Sequence, residues 1–395
     1  MHGTVRDVSD EAKTEHLRAL ERRHASAGGK VVLFPADLGD EGAFDAAAKG
    51  CWGLLHLASV VVAHGTPAEE QVRLASKGTL SALEAAKRGG VRSVVVTAST
   101  ATISPSRGKL SADGLSWQGG PSDESQWNDV ATLDFGTYSF SKVTAERAAL
   151  AWLAEQGASG PFRYATIHFP LGLGPQLDRR VTSSNSVVSV LLRGELPFVL
   201  PMQFNVVDIR DVARAHLHVL EHPSASGRYL VANRPALASL SFPEIAGKLR
   251  SIGGGSFAAF PIPRYEAPMW LARLLALVDS RVDPFMLESS ARGRHPGYVA
   301  DRIVAELGFA YRFLDTDATL LDTAQSMVDQ GIATGKPAPS QKLWVAASTL
   351  IGSLVALLQC ARLCWRAAAG SNSTGPAASL KAQRAAAAGG KPKRQ

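Results

Sequence analysis

The sequence predicts an α/β fold built on a doubly wound parallel sheet. Two observations carry this. Over roughly the first 170 residues, short apolar runs alternate with segments of helical composition, and strands separated by helices pack as parallel neighbours through right-handed crossovers. Residues 30–35 (KVVLFP) and 93–97 (SVVVT) are apolar almost throughout, as expected for strands covered on both faces.

The elements follow in order. Thr4, Val5 and Arg6 make a short strand, and residues 10–23 have helical spacing, with Leu17 and Leu20 on one face and Ser9 or Asp10 as the cap. The run at 30–35 is the next strand, residues 40–49 a short helix and 53–58 (GLLHLA) a further strand. Residues 66–88 have helix composition and are closed by Gly89 and Gly90, since glycine accepts the left-handed backbone that ends a helix. After the strand at 93–97 come a long alanine-rich helix over 138–155 and a strand over 163–169. Beyond about residue 175 the alternation becomes irregular, with many Pro and Gly residues. That region is expected to be a smaller lobe over a substrate cleft.

A chain of 395 residues can bury one large core plus a lobe, and 46% apolar with 19% charged residues is a globular composition. Much of the net charge of +7 comes from Lys381, Arg384, Lys391, Lys393 and Arg394 near the end of the chain. The body carries no basic, aromatic-studded face, so a nucleic-acid partner is not expected. Cys51, Cys360 and Cys364 form neither a metal-ligand cluster nor a disulfide framework, and a reducing compartment follows. The opening residues, MHGTVRD, lack the hydrophobic core of a secretory signal.

Residues 336–342 read as a linker. Residues 343–358 are nearly all apolar, with Trp344 and Trp365 near the ends and Lys342, Arg362 and Arg366 flanking or interrupting the stretch. A bilayer span takes about twenty residues, a length reached only by including Gln359 and Arg362. A hydrophobic helix over 343–366 is predicted, either touching a membrane or packed on protein. Residues 367–395 are a basic tail rich in Ala, Gly, Ser and Lys, without the makings of a core. The expected location is cytoplasmic, or the cytosolic face of a membrane through that helix.

The sharpest chemical pattern is Tyr138-x-x-x-Lys142, with Ser99 at the end of a buried strand some forty residues earlier. Residues four apart share a helix face, so the phenol and the ammonium project together. A phenol with pKa about 10 is a poor acid–base at neutral pH, and a nearby ammonium is expected to draw it down towards the working range. The serine hydroxyl can bind and orient a substrate oxygen. YxxxK by itself is common; placed after a βαβ series and a serine at a strand end, it is specific.

Further segments extend the pattern. These are Gly3-Thr4-Val5-Arg6-Asp7, Pro35-Ala36-Asp37-Leu38, His56-Leu57-Ala58-Ser59, Lys77-Gly78-Thr79-Leu80, residues 138–146 (YSFSKVTAE), Val207-Asp208-Ile209-Arg210-Asp211 and Ala225-Ser226-Gly227-Arg228-Tyr229. In this order they resemble the dihydroflavonol reductase and cinnamoyl-CoA reductase-like branch of the extended short-chain dehydrogenases, over roughly residues 3–335. The resemblance implies a Rossmann-like domain over 1–174, a substrate lobe with returning Rossmann elements over 175–335, and NADP as cofactor in preference to NAD. It implies catalytic roles for Ser99, Tyr138 and Lys142, the last two also touching the cofactor. Arg6, supported by Lys13, would face the adenosine 2′-phosphate, which a guanidinium binds bidentately. Asp37 and Leu38 would hold the adenine, Ala58 and Ser59 would border the ribose and pyrophosphate, and Pro170 would lie near the nicotinamide. His56 reads as core. The substrate would be a small, partly hydrophobic carbonyl or alcohol.

The departures narrow these expectations. The family opens with a strand and a G-x-x-G-x-x-G turn, where a helix N-terminus receives the pyrophosphate. Nothing in residues 1–30 matches either element, so the fold is expected to lack its first strand. A truncated gene model, with that strand upstream of Met1, is the preferred explanation; a shortened, inactive protein is the rival. The stretch Leu171-Gly172-Leu173-Gly174-Pro175 displaces the usual proline by one place. Ser104 stands where flavonoid-reducing members use asparagine, and Asp134-Phe135-Gly136-Thr137-Tyr138 replaces the N-W-Y-C-Y motif of cinnamoyl-CoA reductases. Neither a flavonoid nor a cinnamoyl thioester is therefore assigned. A 3β-hydroxysteroid dehydrogenase-like enzyme, a sugar-nucleotide epimerase and a non-catalytic scaffold are the alternatives. The oligomeric state is left open.

Overall fold

The computed structural model describes residues 1–59, 66–106, 119–158, 160–181, 183–196, 198–233, 239–278, 282–291 and 297–335. The first half runs β1 (His2–Val5), α1 (Glu11–His24), β2 (Val32–Pro35), α2 (Asp45–Ala48), β3 (Gly53–His56), α3 (Ala68–Gly89), β4 (Ser93–Thr97), α4 (Thr137–Glu155) and β5 (Arg163–His168). The second runs β6 (Leu171–Leu173), α5 (Ser186–Leu192), β7 (Gln203–Asp208), α6 (Ile209–Glu221), β8 (Gly227–Leu230), β9 (Ser239–Ser241) and α7 (Phe242–Gly255). Helices α8 (Met269–Val278), α9 (Pro284–Ser289), α10 (Arg302–Leu307) and α11 (Thr316–Asp329) follow.

Local signals ended the elements where they should. Asp10 rather than Ser9 caps α1, its carboxylate accepting the Lys13 N–H. Gly90, at φ 68°, donates its N–H to the Ala86 and Lys87 carbonyls and closes α3. Within residues 40–49 only Asp45–Ala48 is helical; the turn before it passes through a positive φ at Gly42.

β3, β4, β5 and β8 form a parallel sheet in that order. One face packs on α3 and α4 through Val94, Val96, Leu83 and Ala149; the other packs on α6 and α10 through Val95, Ile167, Val212 and Ile303. This is the doubly wound layering. β1 and β2 form a separate parallel pair, from His2 opposite Val32 to Val5 opposite Pro35. The free edges of β1 and β3 are not bonded to any strand among the described residues. Residues 30–35 therefore correct the expectation of a fully buried strand. Only Val32–Pro35 is strand, half-buried and ending on an exposed proline, because β2 has a strand neighbour on one side only. β4, flanked on both sides and covered on both faces, is buried from Ser93 to Val96.

The second half builds its own core. Val188, Leu191, Leu249, Phe257, Leu320 and Met327 close around the inner ends of β6 and β7, and β7 pairs with β6 in parallel and with β9 antiparallel. Asp208, buried at the end of β7, accepts hydrogen bonds from Arg210 and from the Thr319 hydroxyl, tying α6 to α11. Among the described residues no helix is long and apolar enough to cross a membrane. The linker 336–342, the apolar segment 343–366 with Cys360 and Cys364, and the tail 367–395 lie outside the described residues.

Candidate active site

The site forms at the C-terminal end of β4 and the start of α4. Ser99 follows β4 in extended backbone and caps the single 3-10 turn Thr100–Thr102, its Oγ accepting the Ala101 N–H at 3.1 Å. With one lone pair taken in this way, the Ser99 hydroxyl is oriented, and it hydrogen-bonds the phenol of Tyr138. Gly136, at φ 84°, turns the chain into α4, and no Cβ fits there because it would meet the Phe285 ring at 2.8 Å. Tyr138 and Lys142 stand one helical turn apart, with Lys142 Nζ 5.9 Å from the Tyr138 ring centroid.

Burial raises the Tyr138 pKa above its ordinary value of 10, against the opposing hydrogen bond from Ser99. The expectation that Lys142 draws it down therefore does not describe this state. The ammonium lies over the ring, 5.9 Å from its centroid, and loss of water decides the direction. Burial lowers Lys142 to about 8, opposed by the Glu146 carboxylate. His56, at the end of β3, is core as expected, and burial followed by the Lys142 charge lowers it to about 4.

Ala58 and Ser59 border a cavity of about 30 Å³ that also reaches Lys142, Glu146, Tyr164 and Thr166. The structure thus brings five of the sequence-derived residues together: Ser99, Tyr138, Lys142, Ala58 and Ser59. Pro170, half-buried, directly follows Phe169, whose carbonyl accepts the Thr100 N–H at 3.2 Å. The residues expected on the adenosine side follow β1 and β2. Arg6 is exposed just beyond β1, and Lys13 is paired with Asp10 at 2.5 Å. The Asp37 carboxylate accepts the Gly39 N–H at 2.9 Å, and Leu38 packs on Gly78 of α3. Ser104 is buried, and its hydroxyl bonds to Tyr298, turning it into the fold.

The donor set fits a nicotinamide dinucleotide at both ends. A hydroxyl, a phenol and an ammonium converge at the end of β4, where they would meet the nicotinamide, and an exposed guanidinium stands just beyond β1, where it would meet the adenosine. The pyrophosphate cradle is not among the described residues. The helix end that follows β1 carries Asp7, Asp10 and Glu11, carboxylates that would repel a phosphate.

Sequence reasoning missed the layer beneath this site. Tyr138, Lys142 and Glu146 form one stripe of α4, and alternate residues of β5, Tyr164, Thr166 and His168, face it as a polar column. Their signal was present as i, i+4, i+8 spacing and as polar alternation within a buried strand. Asn128 was missed as well. Its side-chain amide donates to the Ala101 and Ser104 carbonyls, and its Oδ1 accepts the Val130 and Ala131 N–H groups.

A model of the NAD dependent epimerase/dehydratase family matches residues 4–232. The chain belongs to that family. It is 35% identical over 267 residues to tetraketide alpha-pyrone reductase 1 of Arabidopsis thaliana, covering 66% of this chain and 75% of that protein. To cinnamoyl-CoA reductase 1 of the same plant it is 31% identical over 338 residues, covering 83% and 82%. Gre2 of Candida albicans, in complex with NADPH, superposes with a TM-score of 0.62 at 23% identity, over 83% of this chain and 91% of that one. That likeness speaks for the fold. The chain falls in the dihydroflavonol reductase and cinnamoyl-CoA reductase-like branch and is an NAD(P)-dependent oxidoreductase.

Proposed function

We propose that this family member is an NADP-dependent reductase of a small, partly hydrophobic aldehyde or ketone, working through Ser99, Tyr138 and Lys142. The observation that carries the reading is the hydrogen bond between Ser99 and Tyr138, with the half-buried Lys142 ammonium one helical turn further along α4. A bound reduced nicotinamide supplies the hydride. The chain's own residues manage the oxygen: the Ser99 hydroxyl holds the carbonyl oxygen, and Tyr138 gives it the phenolic proton as the carbon is reduced. A phenol held above its ordinary pKa stays protonated at neutral pH, the form that reduction needs. Lys142, one helical turn further along α4, steadies the phenolate left behind.

The exposed Arg6 supports NADP over NAD, and the relatives are named reductases. An apolar cavity of about 100 Å³ bordered by Val187, Val190, Leu200, Met202, Phe204 and Met286 supports a hydrophobic substrate part. Met286 adjoins Phe285, which packs on Gly136 at the head of α4. On this reading residues 1–174 bind the cofactor and 175–335 cover the substrate.

The test is NADPH oxidation by the purified chain with a panel of aliphatic and aromatic aldehydes and ketones, beside Tyr138→Phe. The variant should bind NADPH as the parent does and lose roughly 100- to 10,000-fold in kcat, the usual worth of a positioned acid. A folded parent that binds neither NADPH nor NADH would refute the reading.

A further inference from the structure

Glu146 touches none of the reacting groups, yet it is among the most heavily engaged side chains in the fold. It stands four residues beyond Lys142 on α4, with its side chain only 4% exposed. Arg228, from β8, reaches its carboxylate at 2.8 Å, and His168 Nε2, from β5, lies 3.3 Å away. Both partners continue to the Ser99 turn. Arg228 donates to the Thr102 hydroxyl at 3.1 Å and to the Glu124 and Gln126 carbonyls at 2.6 Å each, with its guanidinium 4.1 Å over the Trp127 ring. His168 Nδ1 lies 2.9 Å from Thr102 Oγ1 and 3.3 Å from the Ser99 carbonyl. The titratable and charged groups facing Lys142 and Glu146 are then Tyr138 on their own helix, His56 from β3, Tyr164 and His168 from β5, and Arg228 from β8.

We propose that Glu146 is a positioning residue: clamped by Arg228 and His168, its carboxylate keeps Lys142 an ammonium beside Tyr138, and the same clamp ties the Ser99 turn to the sheet. This rests on the reading of Lys142 as a working group of the reductase. A buried ammonium in a dry site is disfavoured unless negative charge stands nearby. Glu146 supplies that charge, and Arg228 holds it in place while cancelling part of it. Replacing the carboxylate by its isosteric amide removes the counter-charge and leaves the guanidinium unpaired, so both changes push Lys142 to lose its proton sooner. Removing the guanidinium does the reverse.

Titration of lysine labelled with 13C at Cε, followed by NMR with Lys142 assigned from its absence in Lys142→Met, reads this without turnover. Glu146→Gln should lower the Lys142 midpoint by roughly one pH unit. Arg228→Gln should raise it, and Glu146→Asp should restore it towards the parent value. In the NADPH assay the alkaline fall of kcat/KM should move down in step in Glu146→Gln. An unmoved midpoint in folded Glu146→Gln overturns the proposal, as does a kcat lowered equally at every pH. Should that variant not fold, an unmoved midpoint in Arg228→Gln overturns it instead. Because the NMR titration needs no activity, an idle Glu146 and a failed reductase reading are told apart.

Discussion

Leu38 packs against Gly78 so closely that a Cβ on the glycine would lie 2.3 Å from Leu38 Cδ2 and 3.1 Å from its Cβ. The loop after β2 is thereby seated on α3, with Lys77 Nζ also donating to the Gly39 carbonyl. Gly78→Ala gains about 1 kcal/mol of helix propensity but overpacks this contact at a cost of about 1–3 kcal/mol. A modest net loss of stability is expected, with Leu38 displaced and NADPH affinity reduced several-fold. Thermal unfolding and a calorimetric NADPH titration check the two effects separately.

Asn128 is fully used. Its side chain makes four hydrogen bonds, two to carbonyls of the Ser99–Ser104 turn and two from N–H groups of the segment leading to Tyr138. Its own N–H donates to the Thr102 carbonyl at 2.8 Å. Asn128→Ala strands buried backbone groups on both segments, and a loss of roughly 3 kcal/mol is expected in urea unfolding. The kcat should fall with it, because the turn that orients Ser99 loses its anchor.

Stability should depend on pH through His56. The imidazole is neutral in the fold, with its pKa lowered from 6.5 to about 4 by burial and then by Lys142. An unfolded chain binds this proton below 6.5 and the folded one only near 4, so stability is complete above pH 6.5 and falls as the pH drops towards 4. The loss is on the order of 3 kcal/mol. Glu146, lowered from 4.5 to about 2 despite its burial by His168 and Arg228, extends the loss below pH 4.5. Urea unfolding from pH 7.5 to 4.5 measures the slope, and His56→Leu should flatten its upper part.

The proposed reading assigns the 2′-phosphate to the exposed Arg6, since Lys13 is already paired with Asp10. Arg6→Glu should cut the ratio of NADPH to NADH affinity by roughly 10- to 100-fold, the worth of one or two charge-assisted hydrogen bonds. An unchanged ratio would move the 2′-phosphate to another group.

Much of this was legible in the residues. The strand at 93–97 and the helix ending at Gly90 were readable because a short apolar run and helix closure are written by near neighbours. Ser99, Tyr138 and Lys142 were readable because a strand end and a four-residue helical step carry them. The strand at 30–35 was misjudged for the converse reason: an apolar run looks the same at an edge as in the middle of a sheet, and only strand pairing tells them apart.

The sequence by itself determined the alternating order of elements, the parallel sheet and the placing of Ser99 at a strand end with Tyr138 and Lys142 one helical turn apart, all encoded over a few residues by apolar runs and helical spacing. Tertiary structure alone decided that β1 and β2 pair apart from the main sheet, that Arg228 crosses 82 residues of chain to meet Glu146, and that Tyr138 is raised rather than lowered. These depend on which groups exclude water from one another. Desolvation and long-range pairing are properties of packing, and no local pattern records them.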